Sequence, residues 1–315
     1  MFVRRIDRPA ARGADWRAML LRILLAMSAL SLAAADKPAE DLAAPPVVTA
    51  KSWLIAELDS GRELAAHLPD EPRKAASTAK MMCAFVVLEL AQKDPAVLDE
   101  WVLISKLADS TAGSTADLKQ GEQVRVRDGL YALMLPSGND MGNAFAEHFH
   151  PRLAVPGEET PASAKTAASA TRRNFVAEMN RTAQRLGMKA TTYRIAYGDG
   201  GEATDFTTTA RDLVTLTLAA RKNTLFREVV ATLGHRAAIR LPTGDEREAI
   251  WKNTNELLQF ANYDGVKTGT TPSAGRCLVA TGSHAGRGLI VVTLGSTSDE
   301  ARFADSRNLF RWAWR

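Results

Sequence analysis

Cysteine is nearly absent: Cys83 and Cys277 are the only two in 315 residues. Each sits in an apolar run (MMCAFVVLEL and RCLVATG), so the pair reads as two buried, inert thiols and not as a disulfide. Histidine is scarce too. No His-Glu-x-x-His occurs, and the lone His148-Phe149-His150 places its two rings on different helix faces, so no metal site is expected. A Gly-x-Ser-x-Gly elbow is missing, which removes the commonest strand-to-helix setting for a serine nucleophile. Tyrosine and tryptophan do not cluster with basic residues, and there are no internal repeats; nucleic-acid binding has no support.

An excess of charge is also lacking, although the pI near 9.1 suggests one. Residues 1–35 hold six arginines (Arg4, Arg5, Arg8, Arg12, Arg17, Arg22) against Asp7 and Asp15. That surplus accounts for the entire net charge of +4, so the rest of the chain is neutral. The same segment reads as an export signal. A basic opening precedes an apolar run, Ile23 to Leu32, too short to span a bilayer comfortably, and Ala33-Ala34-Ala35 stand where a signal peptidase would cut. Residues 36–50, with their Ala and Pro, read as a tether. The expected location is outside the cytoplasm, in the periplasm or an equivalent space, with no membrane attachment unless the leader stays uncleaved.

What is present is enough for a sizeable core: 46% hydrophobic and 24% charged residues are ordinary for a globular chain. Trp53 to Leu58 and Arg62 to Ala66 alternate around Asp59-Ser60-Gly61, which predicts a β-hairpin. Met81 to Leu90 is apolar on nearly every side, which suits a helix buried all round with Ser77 near its start. Arg127 to His150 and Asn174 to Arg221 carry helical spacing. Pro151 to Thr171 (Ala, Thr, Ser, Pro, Glu) reads as a mobile surface insertion. From Asp264 the pattern turns to strands at Gly265–Gly269, Arg276–Thr281 and Gly288–Leu294, and Asp299 to Trp314 is again helical. Strands at both ends with helices between predict one mixed sheet whose first and last strands meet, with a helical insertion between them.

Three short motifs carry the chemistry: Ser77-Thr78-Ala79-Lys80, Ser137-Gly138-Asn139 and Lys267-Thr268-Gly269. They supply a hydroxyl, an amine one turn away, a second hydroxyl, an amide and a cationic strand. Serine is a weak nucleophile until a base takes its proton, and lysine is a base only when neutral. Burial and a second cation, Lys267, both favour the neutral amine at Lys80. Each motif alone is weak, and Ser306-Arg307-Asn308 repeats the second on what reads as a solvated helix face. The force lies in three motifs in order, each on the element its role requires.

That order resembles the serine D-alanyl-D-alanine carboxypeptidases, the low-molecular-mass penicillin-binding proteins. Leu133 to Asp140, Phe175 to Gly187, Thr209 to Asp212, Thr254 to Leu258 and Asp264 to Gly269 also match, so the likeness runs from about Ser52 to the C-terminus. It implies a mixed α/β, β-lactamase/DD-peptidase-like fold: an antiparallel sheet flanked by helices, over residues 51–315. It implies Ser77 as nucleophile and Lys80 as base, with Ser137 relaying a proton to the leaving amine. Asn139 would hold Lys80 and the substrate amide. Lys267, Thr268, Gly269 and Thr270 would line the substrate site, with backbone N–H groups of Ser77 and Thr270 as oxyanion hole. Arg302 would help with the substrate carboxylate, or else be an exposed helix charge. The implied partners are peptidoglycan stem peptides ending in D-Ala-D-Ala, with β-lactams as inhibitors and no cofactor.

Alternatives differ by identifiable features. A class A β-lactamase would need a deacylating glutamate, for which Glu178-Met179-Asn180 is the loose candidate, on what reads as a regular helix. A DD-endopeptidase would share every motif. An inactive peptidoglycan-binding homologue would not need an intact nucleophile–base pair. Many relatives add an all-β domain and an amphipathic anchor; a chain stopping at Arg315 is expected to work as a catalytic domain without them.

Overall fold

The computed structural model describes residues 44–154, 170–198 and 206–315. The expected leader, most of the tether, and residues 155–169 of the expected insertion lie outside the described residues. Pro45 to Arg315 form one compact unit.

The main sheet has the order β2-β1-β11-β10-β9, antiparallel throughout. Its strands are β1 (Ser52–Glu57), β2 (Glu63–His67), β9 (Tyr263–Thr271), β10 (Gly275–His284) and β11 (Arg287–Ser296). The hairpin and the late strands match their sequence expectations, and the first strand does lie beside the last, with Ile55 opposite Val291. β11 is buried on every residue from Leu289 to Ser296. A strand buried at successive positions must be covered on both faces. Helices α6 (Ala210–Ala220) and α8 (Asp299–Ala313) both pack on it.

Between β2 and β9 lies the helical region. Its centre is α1 (Lys80–Lys93), buried from Lys80 to Leu88. Around it pack α3 (Val126–Met134), α4 (Asn139–Phe149), α5 (Arg173–Arg185), α6 and α7 (Thr224–Ala231). Neighbours on all sides explain why α1 has no polar face. Each fully buried Leu, Met or Phe there contributes about 1.5–3 kcal/mol of transfer free energy.

Two expectations need correction. Helical spacing over Asn174–Arg221 is interrupted: α5 ends at Arg185, Gly187 turns the chain with φ +80°, and among the described residues helix is found again at Ala210. Thr209 caps that restart, its hydroxyl accepting from the Asp212 N–H at 3.0 Å. There is also a second antiparallel sheet, β4-β5-β7-β8, from β4 (Trp101–Leu103), β5 (Gln123–Arg125), β7 (Gly234–Arg240) and β8 (Glu246–Lys252). β7 and β8 do alternate, but Ala237 and Ala249 occupy inward positions where a large apolar residue would have marked a strand. Among the described residues, no helix is long and apolar enough to cross a membrane.

Candidate active site

Ser77 sits in a short 3₁₀ turn, Ala76–Ala79, that runs directly into α1. At three residues per turn, positions 77 and 80 eclipse, which aligns the hydroxyl and the amine more closely than an α-helix would. Lys80 Nζ lies 2.9 Å from Ser77 Oγ, 2.7 Å from Asn139 Oδ1 and 3.0 Å from the Tyr197 carbonyl oxygen. The Asn139 amide is oriented by its own nitrogen, which donates to the Ala112 carbonyl at 2.8 Å and so leaves Oδ1 facing Lys80. Asn139 Oδ1 and the Tyr197 carbonyl can only accept. In its neutral form Lys80 would commit two N–H groups to these acceptors and turn its lone pair toward the Ser77 hydroxyl.

Asn139 opens α4, while Ser137 lies in the break between α3 and α4 with φ +66°. A left-handed serine is strained by roughly 1–2 kcal/mol. Its Oγ is buried and has no hydrogen-bond partner among the described residues. Ala76, next to Ser77, is also left-handed at φ +49°. Backbone strain at both Ser137 and Ala76, with the Ser137 hydroxyl unmet, suits a surface that receives a polar ligand atom.

Lys267 and Thr268 lie on β9, buried at 1% and 5% exposure. Burial holds the Lys267 ammonium well below the ordinary lysine range, and the charges of Lys80 and Arg302 add to it. Its Nζ donates to the Thr268 carbonyl at 3.1 Å. Gly269 brings β9 against the Ser77 turn: a Cβ there would stand 2.6 Å from the Ala75 carbonyl oxygen and 3.3 Å from the Ser77 nitrogen. Thr270 is exposed at the end of this stretch and accepts from Arg302 Nη1 at 2.9 Å. Arg302 is not an exposed helix charge. Its side chain is 9% exposed and paired with Asp299 at 2.9 Å, and burial lowers its guanidinium from the usual value.

Two groups at the site have no place in the three motifs. Thr254 donates its N–H to the Leu135 carbonyl at 3.1 Å, and its hydroxyl stands 2.7 Å from that of Thr268. It therefore ties the Ser137 segment to β9. The Tyr197 carbonyl has no sequence signature, being backbone; the neighbouring Gly198, at φ +76°, is the local signal.

Other candidates lie apart. Glu178 is on α5 and pairs with Arg181 at 2.7 Å, while Asn180 binds the backbone of Tyr193. Ser306, read as solvated, is fully buried and stands 3.2 Å from Thr293 Oγ1, facing the sheet. Cys83 and Cys277 are free and buried, with burial pushing both thiols up, Cys277 to about 11. His148 binds Glu100 at 2.8 Å, and His150 Nδ1 accepts from the Asn174 N–H.

A family model described as D-alanyl-D-alanine carboxypeptidase matches residues 39–152 and 158–298. A D-alanyl-D-alanine carboxypeptidase of Streptomyces sp. (strain K15) is 33% identical, the match covering 85% of this chain and 88% of the relative. The crystal structure of the Streptomyces K15 DD-transpeptidase superposes with a TM-score of 0.76 at 33% identity, over 86% of this chain and 99% of that one. The D-alanyl-D-alanine carboxypeptidase DacC of Escherichia coli (strain K12) is 31% identical over 88% of this chain, which spans 64% of that relative. A D-alanyl-D-alanine endopeptidase of Pseudomonas aeruginosa is 29% identical over 93% of this chain and 86% of the relative.

Proposed function

The chain belongs to the D-alanyl-D-alanine carboxypeptidase family, and we propose that it is an exported serine DD-carboxypeptidase that trims peptidoglycan stem peptides through a Ser77 acyl-enzyme. The observation that carries this reading is the Lys80 amine, held by two obligatory acceptors with Ser77 Oγ at 2.9 Å. Ser77 Oγ attacks the carbonyl between the two D-alanines as Lys80 takes its proton. The Ser77 and Thr270 N–H groups face the developing oxyanion. Ser137, whose hydroxyl has no partner of its own among the described residues, passes a proton to the departing D-alanine amine. Lys267, Thr268 and Arg302 meet the substrate carboxylate, and water then releases the shortened peptide. A β-lactam offers the same carbonyl and carboxylate but keeps its leaving group tethered, so it acylates Ser77 and stays.

The test is labelling with a fluorescent penicillin, wild type against Ser77→Ala. Labelling of wild type alone is expected; equal labelling, or none in wild type, overturns the assignment. A second reading, DD-endopeptidase action on cross-links, is favoured by the Pseudomonas relative's name. It passes through the same acyl-enzyme with a different leaving amine. Release of D-alanine from a pentapeptide, set against cleavage of cross-linked dimers, separates the two.

A further inference from the structure

At the end of β9 remote from Thr270, the chain builds a cleft of about 410 Å³ lined by Phe260, Tyr263, His284, Arg307, Arg311 and Trp314 among others. Two features define its chemistry. First, neither Arg307 nor Arg311 has a carboxylate partner among the described residues; Arg125 and Arg240, which flank Trp101, share that condition but line no such cleft with it. No acidic side chain lines the cleft. Second, the aromatic rings form a preassembled wall. Trp314 lies 5.8 Å from Tyr263 and 5.6 Å from His284, and its indole N–H donates to the Arg287 carbonyl at 3.0 Å. Phe260 stays 49% exposed with the Arg307 guanidinium 5.8 Å over its ring. Aromatics and basic residues are not clustered along most of the sequence; the turn before β9, the β10–β11 hairpin and the last turns of α8 bring them together.

Guanidiniums without carboxylate partners, beside a half-exposed phenyl ring and an aromatic wall, fit a ligand that alternates carboxylates with flat-faced sugar rings. The same strand and helix connect this cleft to the candidate active site. Tyr263 and Thr270 are seven residues apart on β9, on the order of 20 Å at strand rise. Arg302 and Arg311 are nine apart on α8, about 13 Å at helix rise. We propose that the cleft is a second, non-catalytic binding site for the anionic strand of the polymeric substrate, holding a carboxylate-bearing glycan–peptide segment while a neighbouring stem peptide reaches Ser77. This rests on the reading of the protein as a peptidoglycan peptidase. Engagement at two points raises the effective concentration of stem peptides at the site without any change in the chemistry.

The experiment is co-sedimentation of the full chain with purified insoluble peptidoglycan, in a Ser77→Ala background so that catalysis plays no part. Adding Arg307→Ala and Arg311→Ala together is expected to weaken binding about tenfold, as loss of charge-assisted contacts would. Arg307→Lys with Arg311→Lys should recover part of it. In the otherwise wild-type enzyme the double alanine variant should leave kcat/KM on a short soluble stem peptide unchanged. Equal sedimentation of both proteins overturns the proposal. So does loss of binding to phosphatidylglycerol vesicles with peptidoglycan binding intact, which would make the cleft a bilayer contact. A matching fall in short-peptide turnover would also overturn it. Thermal melting of the variant guards against misfolding. If wild type releases no D-alanine, the functional reading fails while the sedimentation result still stands.

Discussion

The hydroxyl of Thr254 lies 2.7 Å from that of Thr268, while the Thr254 N–H reaches the Leu135 carbonyl at 3.1 Å. One residue thus couples the strand bearing Lys267 to the segment bearing Ser137. Thr254→Val keeps the shape and removes the hydroxyl bond, a loss of about 1 kcal/mol. Penicillin acylation of Ser77 is expected to slow roughly fivefold, with the melting temperature lower by only about 2 °C. An unchanged acylation rate would remove Thr254 from the positioning of the site.

Ser137 stores backbone strain at φ +66° and leaves its hydroxyl unmet. Ser137→Gly should stabilise the protein by about 1 kcal/mol, because glycine accepts that conformation, while lowering D-alanine release. Denaturant unfolding and a turnover assay check the two halves. A destabilised variant would show that the strain is met by contacts elsewhere.

Gly198, at φ +76°, presses on the Ser77 turn: a Cβ there would come 2.5 Å from Ala79 Cβ and closer still to the Ala76 carbonyl oxygen. Gly198→Ala should cost about 2–3 kcal/mol and shift the neighbouring Tyr197 carbonyl off Lys80. A drop of several degrees in melting temperature and a slower acylation are expected together.

Lys267 carries a pH signature. Burial lowers its native pKa well below the ordinary 10.5. Between that lowered value and 10.5, the unfolded chain binds a proton that the native chain does not. Stability therefore rises with pH through this window and falls as pH drops through it. Lys267→Met removes the group, so its stability relative to wild type should grow as pH falls from 10.5 toward neutrality. Urea unfolding across that range reads the slope, and the opposite slope would mean that the native state favours the charged lysine.

The two thiols are sealed and their pKa values raised. A disulfide-exchange reagent should titrate none in the native protein and two after denaturation. Rapid native reaction at either would contradict the burial of α1 or β10.

Legibility tracked the range of the interaction. The hairpin around Gly61, the buried helix after Ser77 and the strands after Asp264 each carry an unbroken apolar pattern over a short stretch, and local periodicity is a fair record of these. The second sheet escaped because each of its longer strands buries only two positions, Ala237 with Ile239 and Ala249 with Trp251, and the alanine of each pair is too small to extend a hydrophobic alternation. Ser306 misled for the converse reason: a polar residue on an amphipathic helix reads as solvated until its partner, Thr293 on another element, is known.

By itself the sequence determined the chemical inventory, its order, and the one local geometry the reaction needs, a hydroxyl and an amine three residues apart on a tight turn. Tertiary structure decided the rest. Lys80 meets Asn139 across 59 residues and the Tyr197 carbonyl across 117, and Lys267 is stripped of water by packing that no local pattern encodes. Whether an amine is base or cation depends on its surroundings. Those surroundings are set by long-range packing, which is why the roles of these residues, unlike their identities, had to wait for the fold.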